Sequence, residues 1–262
     1  MRNWNQIRRV VVKIGTSSLT HNNGKLAFQK IDRLARELAD LQNQGMHVVL
    51  VSSGAIAAGV AALHLSKRPH ETAGKQAAAA VGQASLMQLY EKFFSEYGQS
   101  VAQILLTRDV MENEERRENA ANTFEQLFAY NVIPIVNEND TISTEEIEFG
   151  DNDRLSAYVA ALIGADLLIL LSDIDGLYTA DPSLDPDAEL IHQVPEVTNR
   201  ILEMGHGSHT KVGKGGMYTK LLAAEIAMGA GVNMVIANAA MPEVLDRIVQ
   251  GDEIGTWFGK QN

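Results

Sequence analysis

Four apolar runs, Val10–Val12, His47–Val51, Val132–Val136 and Asp166–Leu171, each stop at a cluster of small or polar residues, with helically spaced segments between them. That alternation constrains the fold more than any other feature. Short runs rich in β-branched residues read as strands, whereas Ile31, Leu34, Ala35, Leu38 and Leu41 repeat at the spacing of a helix ending near Gly45. The alanine-rich segment from Glu71 to Tyr97 predicts a long helix whose small side chains admit a close neighbour. Val101–Leu106 predicts another strand, Glu112–Glu118 a solvated helix start, Arg154–Gly164 and Met217–Met228 two more helices, and Val232–Ala237 a late strand. Pro242 is placed to open the last helix, and Ile254–Phe258 to close the sheet as an edge strand. Elements in this order imply βαβ units, hence an α/β fold with a mostly parallel central sheet sandwiched between helices. Ligands of such sheets bind beyond the carboxyl ends of the strands, so the four clusters are expected to share one site. One domain spans 1–262, with an acceptor lobe over about 1–164 and a nucleotide lobe over 165–262 sharing the sheet.

Charge and composition exclude several function classes. A net charge of −11 disfavours general binding to nucleic acid or an anionic membrane, so any phosphate must be met by a few placed lysines. With no cysteine there is no disulfide framework, no thiolate nucleophile and no cysteine zinc site, which suits a reducing cytoplasm. The most apolar region, 157–171, is broken by Gly164 and Asp166 and falls short of a membrane span. The expectation is a cytoplasmic protein with no nucleic-acid or membrane partner.

Lys13 closes the first strand and is followed by Gly15, Thr16, Ser17 and Ser18. A lysine at the end of an interior strand either snorkels to the surface or is held for an anion. Gly15 lets a ligand come close to the backbone, and the hydroxyl residues offer groups of the kind that surround phosphate. Ser53-Gly54-Ala55 at a helix start either presents backbone N–H groups to an anion or is an ordinary serine cap. Asp140 and Asn152 stand in a loop system that also holds Asp151 and Asp153; they are either turn residues or the acceptors for an ammonium group. Gly213 to Lys220 sets glycines at a helix N-terminus with Lys220 one turn inside, a loop able to wrap nucleotide phosphates. Ser172-Asp173 and the turn from Gly176 to Pro182 form a polar rim that could border a nucleoside.

Several familiar signatures fail on counting. Around Gly213-Lys214 the chain has Ser208 and Gly215 where a Walker loop needs glycine and a hydroxyl residue. Gly205-His206-Gly207 lacks the last glycine and the preceding strand of a dinucleotide fingerprint, and Asp151-Asn152-Asp153 lacks the glycine and glutamate of an EF-hand. His206 and His209 read as solvent-facing loop residues rather than a metal pair.

Six blocks in unbroken order, Val11 to Ser17, Ser53 to Gly59, Asn137 to Asp140, Gly150 to Asp153, Gly176 to Pro182 and Gly215 to Lys220, resemble the amino acid kinase family, and within it the enzymes that phosphorylate glutamate. The resemblance runs from about Arg8 to Phe258. It implies ATP-dependent phosphorylation of the glutamate side-chain carboxylate to glutamyl 5-phosphate, the first step toward proline, with Mg²⁺ carried mainly on the ATP phosphates. It also implies inhibition by proline and a homo-oligomer, dimer or tetramer, and leaves open a hand-over of product to the next enzyme. By resemblance, Lys13 and Lys220 flank the transferring phosphoryl group while Asp153 organises them. Ser53, Gly54, Ala55, Asp140 and Asn152 are the glutamate contacts. Lys13, Gly15, Ser172, Asp173, Lys214, Gly215, Gly216, Met217, Tyr218, Thr219 and Lys220 are the nucleotide contacts. No residue is assigned as a metal ligand. Two departures stand out: Lys214 replaces a frequent threonine, and the RNA-binding-like PUA domain that many relatives carry at the C-terminus is not expected here. Rival readings are a kinase of the same fold acting on acetylglutamate, aspartate, carbamate or a nucleoside monophosphate, and a sensor that binds nucleotide or amino acid without turnover.

Overall fold

The structure is a computed structural model and describes residues 2, 4, 7–107, 109–143, 152–205 and 216–260. Among the described residues, eight strands form one sheet: β1 (Arg9–Ile14), β2 (His47–Ser52), β3 (Ser100–Leu106), β4 (Val132–Glu138), β5 (Leu167–Ser172), β6 (Gln193–Val194), β7 (Asn233–Asn238) and β8 (Thr256–Phe258), in the spatial order β3-β4-β2-β1-β5-β7-β8-β6. The six strands from β3 to β7 are mutually parallel, whereas β8 runs antiparallel to β7 and parallel to β6. The described helices are α1 (Thr16–Leu19), α2 (Phe28–Asn43), α3 (Ala55–Ala62), α4 (Thr72–Glu96), α5 (Asp109–Glu112), α6 (Glu114–Ala129), α7 (Asp153–Leu162), α8 (Asn199–Met204), α9 (Met217–Gly229) and α10 (Val244–Val249). The expected α/β architecture is therefore present.

Strand alternation divides the core in two. Val10, Val12 and Ile14 belong to one buried cluster with Leu34, Leu38, Tyr90 and Leu245, from α2, α4 and α10. Val11 belongs to the other, with Phe124, Val159 and Ala224, from α6, α7 and α9. A sheet covered on both faces needs near-continuous apolar strands, and β5 is Leu-Leu-Ile-Leu-Leu-Ser, buried throughout. The long helix α4 lies hard against α3, as its alanines foretold. A Cβ on Gly59 would stand 1.8 Å from the Ala78 carbonyl oxygen, and one on Gly82 would stand 1.8 Å from that of Ala55.

Two expectations need correction. Thr256–Phe258 is not an edge strand, because the two-residue strand Gln193–Val194 pairs along its outer side. So short a strand carries no periodic signal. Pro242 does not open α10: Glu243 adopts a left-handed backbone, φ 53°, between the proline and the helix start at Val244. Charged Glu114 and Glu115 begin α6 as expected, capped by Asn113, whose side chain accepts from the Arg116 N–H. The polar excursion expected over 141–149 lies outside the described residues from Thr144 onward.

Candidate active site

The same alternation aims Lys13. It shares the face of Val11, so its side chain leaves β1 on the side covered by α7 and α9. Asp153 begins α7, where the helix dipole favours a carboxylate, and Lys220 is the fourth residue of α9. Lys13 Nζ is ion-paired with Asp153 Oδ1, while Lys220 Nζ donates to Asp153 Oδ2 at 3.1 Å and Thr219 Oγ1 donates to the same oxygen at 3.0 Å. All three charged residues are buried, Asp153 completely. Such burial is costly unless the charges answer one another, and two ammonium groups on one carboxylate leave a positive charge among these three groups. That surplus suits an anion such as a phosphoryl group. A Cβ on Gly15 would lie 3.7 Å from Lys13 Nζ, so the glycine keeps space beside that ammonium open.

On the neighbouring strand ends a second polar cluster forms. Asn152, fully buried, donates from Nδ2 to Asn137 Oδ1 at 2.8 Å and to Ser53 Oγ and the Ser52 carbonyl at 3.1 Å each. Ser53 is therefore not the cap of α3; that position belongs to Gly54, whose φ of 107° is left-handed and favours glycine. Beneath this turn Ser52 Oγ meets the Tyr90 hydroxyl at 2.7 Å inside the core. Asp140 is 4% exposed, and burial together with the charge of Glu138 pushes its carboxyl up to about 7, against the pull of Arg68. Asp140 Oδ1 and Asn152 Oδ1 are buried with no hydrogen-bond partner among the described residues. Two waiting acceptors suit an ammonium group.

Of the residues expected at a nucleotide, Ser172 ends β5, one strand over from Lys13, and its hydroxyl donates to Asp173 Oδ1 at 3.1 Å. Among the described residues nothing bonds this pair to the two lysines. Gly216 caps α9 and Met217, Tyr218 and Thr219 begin its first turn, the single Thr219 hydroxyl proton having the Gly216 carbonyl at 2.8 Å as an alternative acceptor to Asp153 Oδ2. Lys214 and Gly215, along with Gly150, Asp151, His206 and His209, lie outside the described residues. Sequence reasoning quoted Asn137 only as part of a motif and did not single out Tyr90. The signal available was a polar residue at a strand's carboxyl end and a lone tyrosine in an alanine-rich helix.

The sequence pattern of the Amino acid kinase family matches residues 8–238. Glutamate 5-kinase of Clostridium tetani is 52% identical over 252 residues, covering 96% of this chain and 94% of that protein. Glutamate 5-kinase of Carboxydothermus hydrogenoformans is 54% identical over 253 residues, covering 96% of this chain and 68% of that protein. Among solved structures, UMP kinase from Bacillus anthracis superposes with a TM-score of 0.65 at 14% identity, covering 98% of each chain, a likeness of fold alone. The fold, the buried lysine pair on one carboxylate and these similarities agree: the chain belongs to the amino acid kinase family, in its glutamate 5-kinase branch.

Proposed function

We propose that this protein transfers the γ-phosphoryl group of ATP to the side-chain carboxylate of L-glutamate, giving L-glutamyl 5-phosphate, the first step toward proline. The observation that carries the reading is the convergence of Lys13 and Lys220 on Asp153, next to a polar cluster in which the buried acceptors Asn152 Oδ1 and Asp140 Oδ1 have no partner among the described residues and suit an amino group. A carboxylate acceptor is ionised at neutral pH and needs no general base. Its oxygen attacks the γ-phosphorus, the bond to the bridging oxygen breaks, and that oxygen keeps the electron pair as ADP leaves. The protein's task is alignment and charge neutralisation. Lys13 and Lys220 neutralise the transferring group, and Asp153 holds their ammonium groups apart and in place. Mg²⁺, held on the ATP phosphates, supplies further charge neutralisation when bound. Asp153 is already engaged by two lysines, which fits a metal carried by the nucleotide rather than caged by this carboxylate.

In this reading Ser53, Gly54, Ala55, Asp140 and Asn152 hold glutamate. Gly15, Ser172, Asp173 and the segment from Lys214 to Lys220 hold ATP. The lobes divide near Gly164, the enzyme is a cytoplasmic homo-oligomer, and proline inhibits it. Similarity at 52% to a glutamate 5-kinase supports the substrate choice. The test is ATP- and Mg²⁺-dependent acyl phosphate formation, trapped as a hydroxamate, with glutamate, acetylglutamate and aspartate in parallel and proline added to the best. Turnover confined to glutamate is expected; turnover of another acceptor alone would overturn the assignment.

A further inference from the structure

Asn137 is the middle member of a relay of side-chain amides that runs from Asn152 to Gln83, one step beyond the residues already assigned. Its Oδ1 accepts from the Glu138 backbone N–H at 2.9 Å and from Asn152 Nδ2 at 2.8 Å. A backbone N–H can only donate, so the orientation of the Asn137 amide is fixed and its Nδ2 must point the other way. There it donates to Gln83 Oε1 at 2.9 Å. The orientation of Gln83 is fixed in turn, which leaves its Nε2 as a donor. That atom is buried and has no hydrogen-bond partner among the described residues. A buried amide hydrogen left without a partner is costly unless a ligand completes it.

Gln83 follows Gly82, the residue whose missing side chain lets α4 touch the Ala55 carbonyl, so it stands one residue from the contact between α4 and the start of α3. Three polar atoms are then buried without a partner among the described residues: the acceptor Asp140 Oδ1, two residues past the end of β4, and the acceptor Asn152 Oδ1 and donor Gln83 Nε2, whose residues are joined through Asn137. An α-amino acid head presents the reverse set, an ammonium that donates and a carboxylate that accepts. We infer that Gln83 is a substrate-binding residue, its Nε2 donating to the α-carboxylate of the amino acid while Asp140 and Asn152 receive the ammonium. The inference rests on the glutamate kinase reading and adds to it the residue that recognises the free α-carboxylate.

The test compares kcat/KM for glutamate with that for its α-amide, which keeps the side-chain carboxylate to be phosphorylated but has a carboxamide in place of the α-carboxylate. Gln83→Glu retains the oxygen that supports Asn137, removes the donor, and offers an acceptor to the carboxamide N–H. The ratio favouring glutamate is expected to fall by about tenfold to a hundredfold, on the scale of one hydrogen bond to a charged group, with KM for ATP unchanged. Gln83→Met, which fills similar space without a donor, is expected to lower the ratio in the same direction and serves if the first variant does not fold. An unchanged ratio in a folded variant, with both substrates slowed equally, would make Gln83 only a support for Asn137 and overturn the inference. Wild-type turnover separates the two readings: its absence with glutamate would strike down the kinase assignment and this one with it, whereas its presence with an unchanged ratio would strike down this one alone.

Discussion

Lys13 and Lys220, 207 positions apart in a chain of 262 residues, meet on the two oxygens of a single buried carboxylate, that of Asp153. The first lysine is the penultimate residue of β1 and the second sits one turn inside α9, so the two meet beside the carboxyl ends of the paired central strands β1 and β5. Parallel sheets bind their ligands at such ends. Replacing Lys220 by Met removes one of the two charges proposed to face the phosphoryl group and leaves Asp153 paired with Lys13. We expect kcat to fall about a hundredfold or more, the scale of a lost transition-state donor, with KM for glutamate changed little. Steady-state kinetics with the two substrates varied separately would decide it.

Asp153→Asn acts differently, because it strands two buried ammonium groups rather than removing one. Breaking a buried ion pair from one side costs about 3–5 kcal/mol, so this variant should lose stability as well as activity. Urea unfolding of both variants measures the contrast. If Asp153→Asn and Lys220→Met were equally stable, Asp153 would not be the group that holds the lysines.

Asp140 gives the site a pH dependence of predictable sign. Its carboxyl is pushed from an ordinary 3.8 up to about 7, chiefly by burial and then by Glu138. Between those two values the folded protein holds the proton and the unfolded chain does not. This group's contribution to stability is therefore greatest below 3.8 and declines as pH rises toward about 7. An arriving ammonium group favours the ionised form, so KM for glutamate should fall as pH rises through about 7. Asp140→Asn should raise KM at pH 8 and flatten its dependence on pH between 6 and 8, because the neutral amide neither titrates nor answers the charge.

How much of this was legible beforehand follows from which forces act locally. The apolar runs and their polar ends disclosed the strands, the parallel sheet and the end of it that carries the site, because burial on two faces imposes near-continuous hydrophobic strands. Lys13 was visible as a charge closing such a run, and alternation along β1 then settles which helices it meets. Gln193–Val194 was not visible, since two residues hold no period and pair only because β8 is already there. Nor was the partnership of Asn137 with Asn152, for amide contacts between residues 15 apart depend on tertiary placement and leave no mark on local spacing. Ser53, taken alone, read first as a cap and second as a ligand contact; the cap position belongs instead to Gly54.

Tyr90 supports the acceptor turn from below. Ser52 Oγ donates to the Ser53 carbonyl at 3.0 Å, so its single proton is spent and the Tyr90 hydroxyl must be the donor to Ser52 Oγ. Tyr90→Phe should cost about 1–2 kcal/mol of stability and raise KM for glutamate severalfold, leaving KM for ATP unaltered. Calorimetry with kinetics checks both. A stability loss without a change in KM would mean that the hydroxyl serves the core alone.

The tight contact between α3 and α4 supplies the sharpest packing test. A Cβ on Gly82 would stand 1.8 Å from the Ala55 carbonyl oxygen and 2.3 Å from the Gly59 nitrogen, both backbone atoms that cannot turn aside. Gly82→Ala must therefore push α4 away from α3. In a helix interior alanine is otherwise the better residue by about 1 kcal/mol, so propensity and packing oppose each other here. Packing should win, with a net loss of about 1–3 kcal/mol, because overfilling moves backbone and not merely a rotamer. Gly98, by contrast, has nothing within 4 Å of its added Cβ, and its φ of 69° makes Gly98→Ala a test of strain without a clash. Since the displaced helix carries both Gln83 and Tyr90, the Gly82 variant alone should also raise KM for glutamate. Thermal unfolding and kinetics of the two variants, measured side by side, would separate a device that positions the proposed glutamate contacts from ordinary core packing.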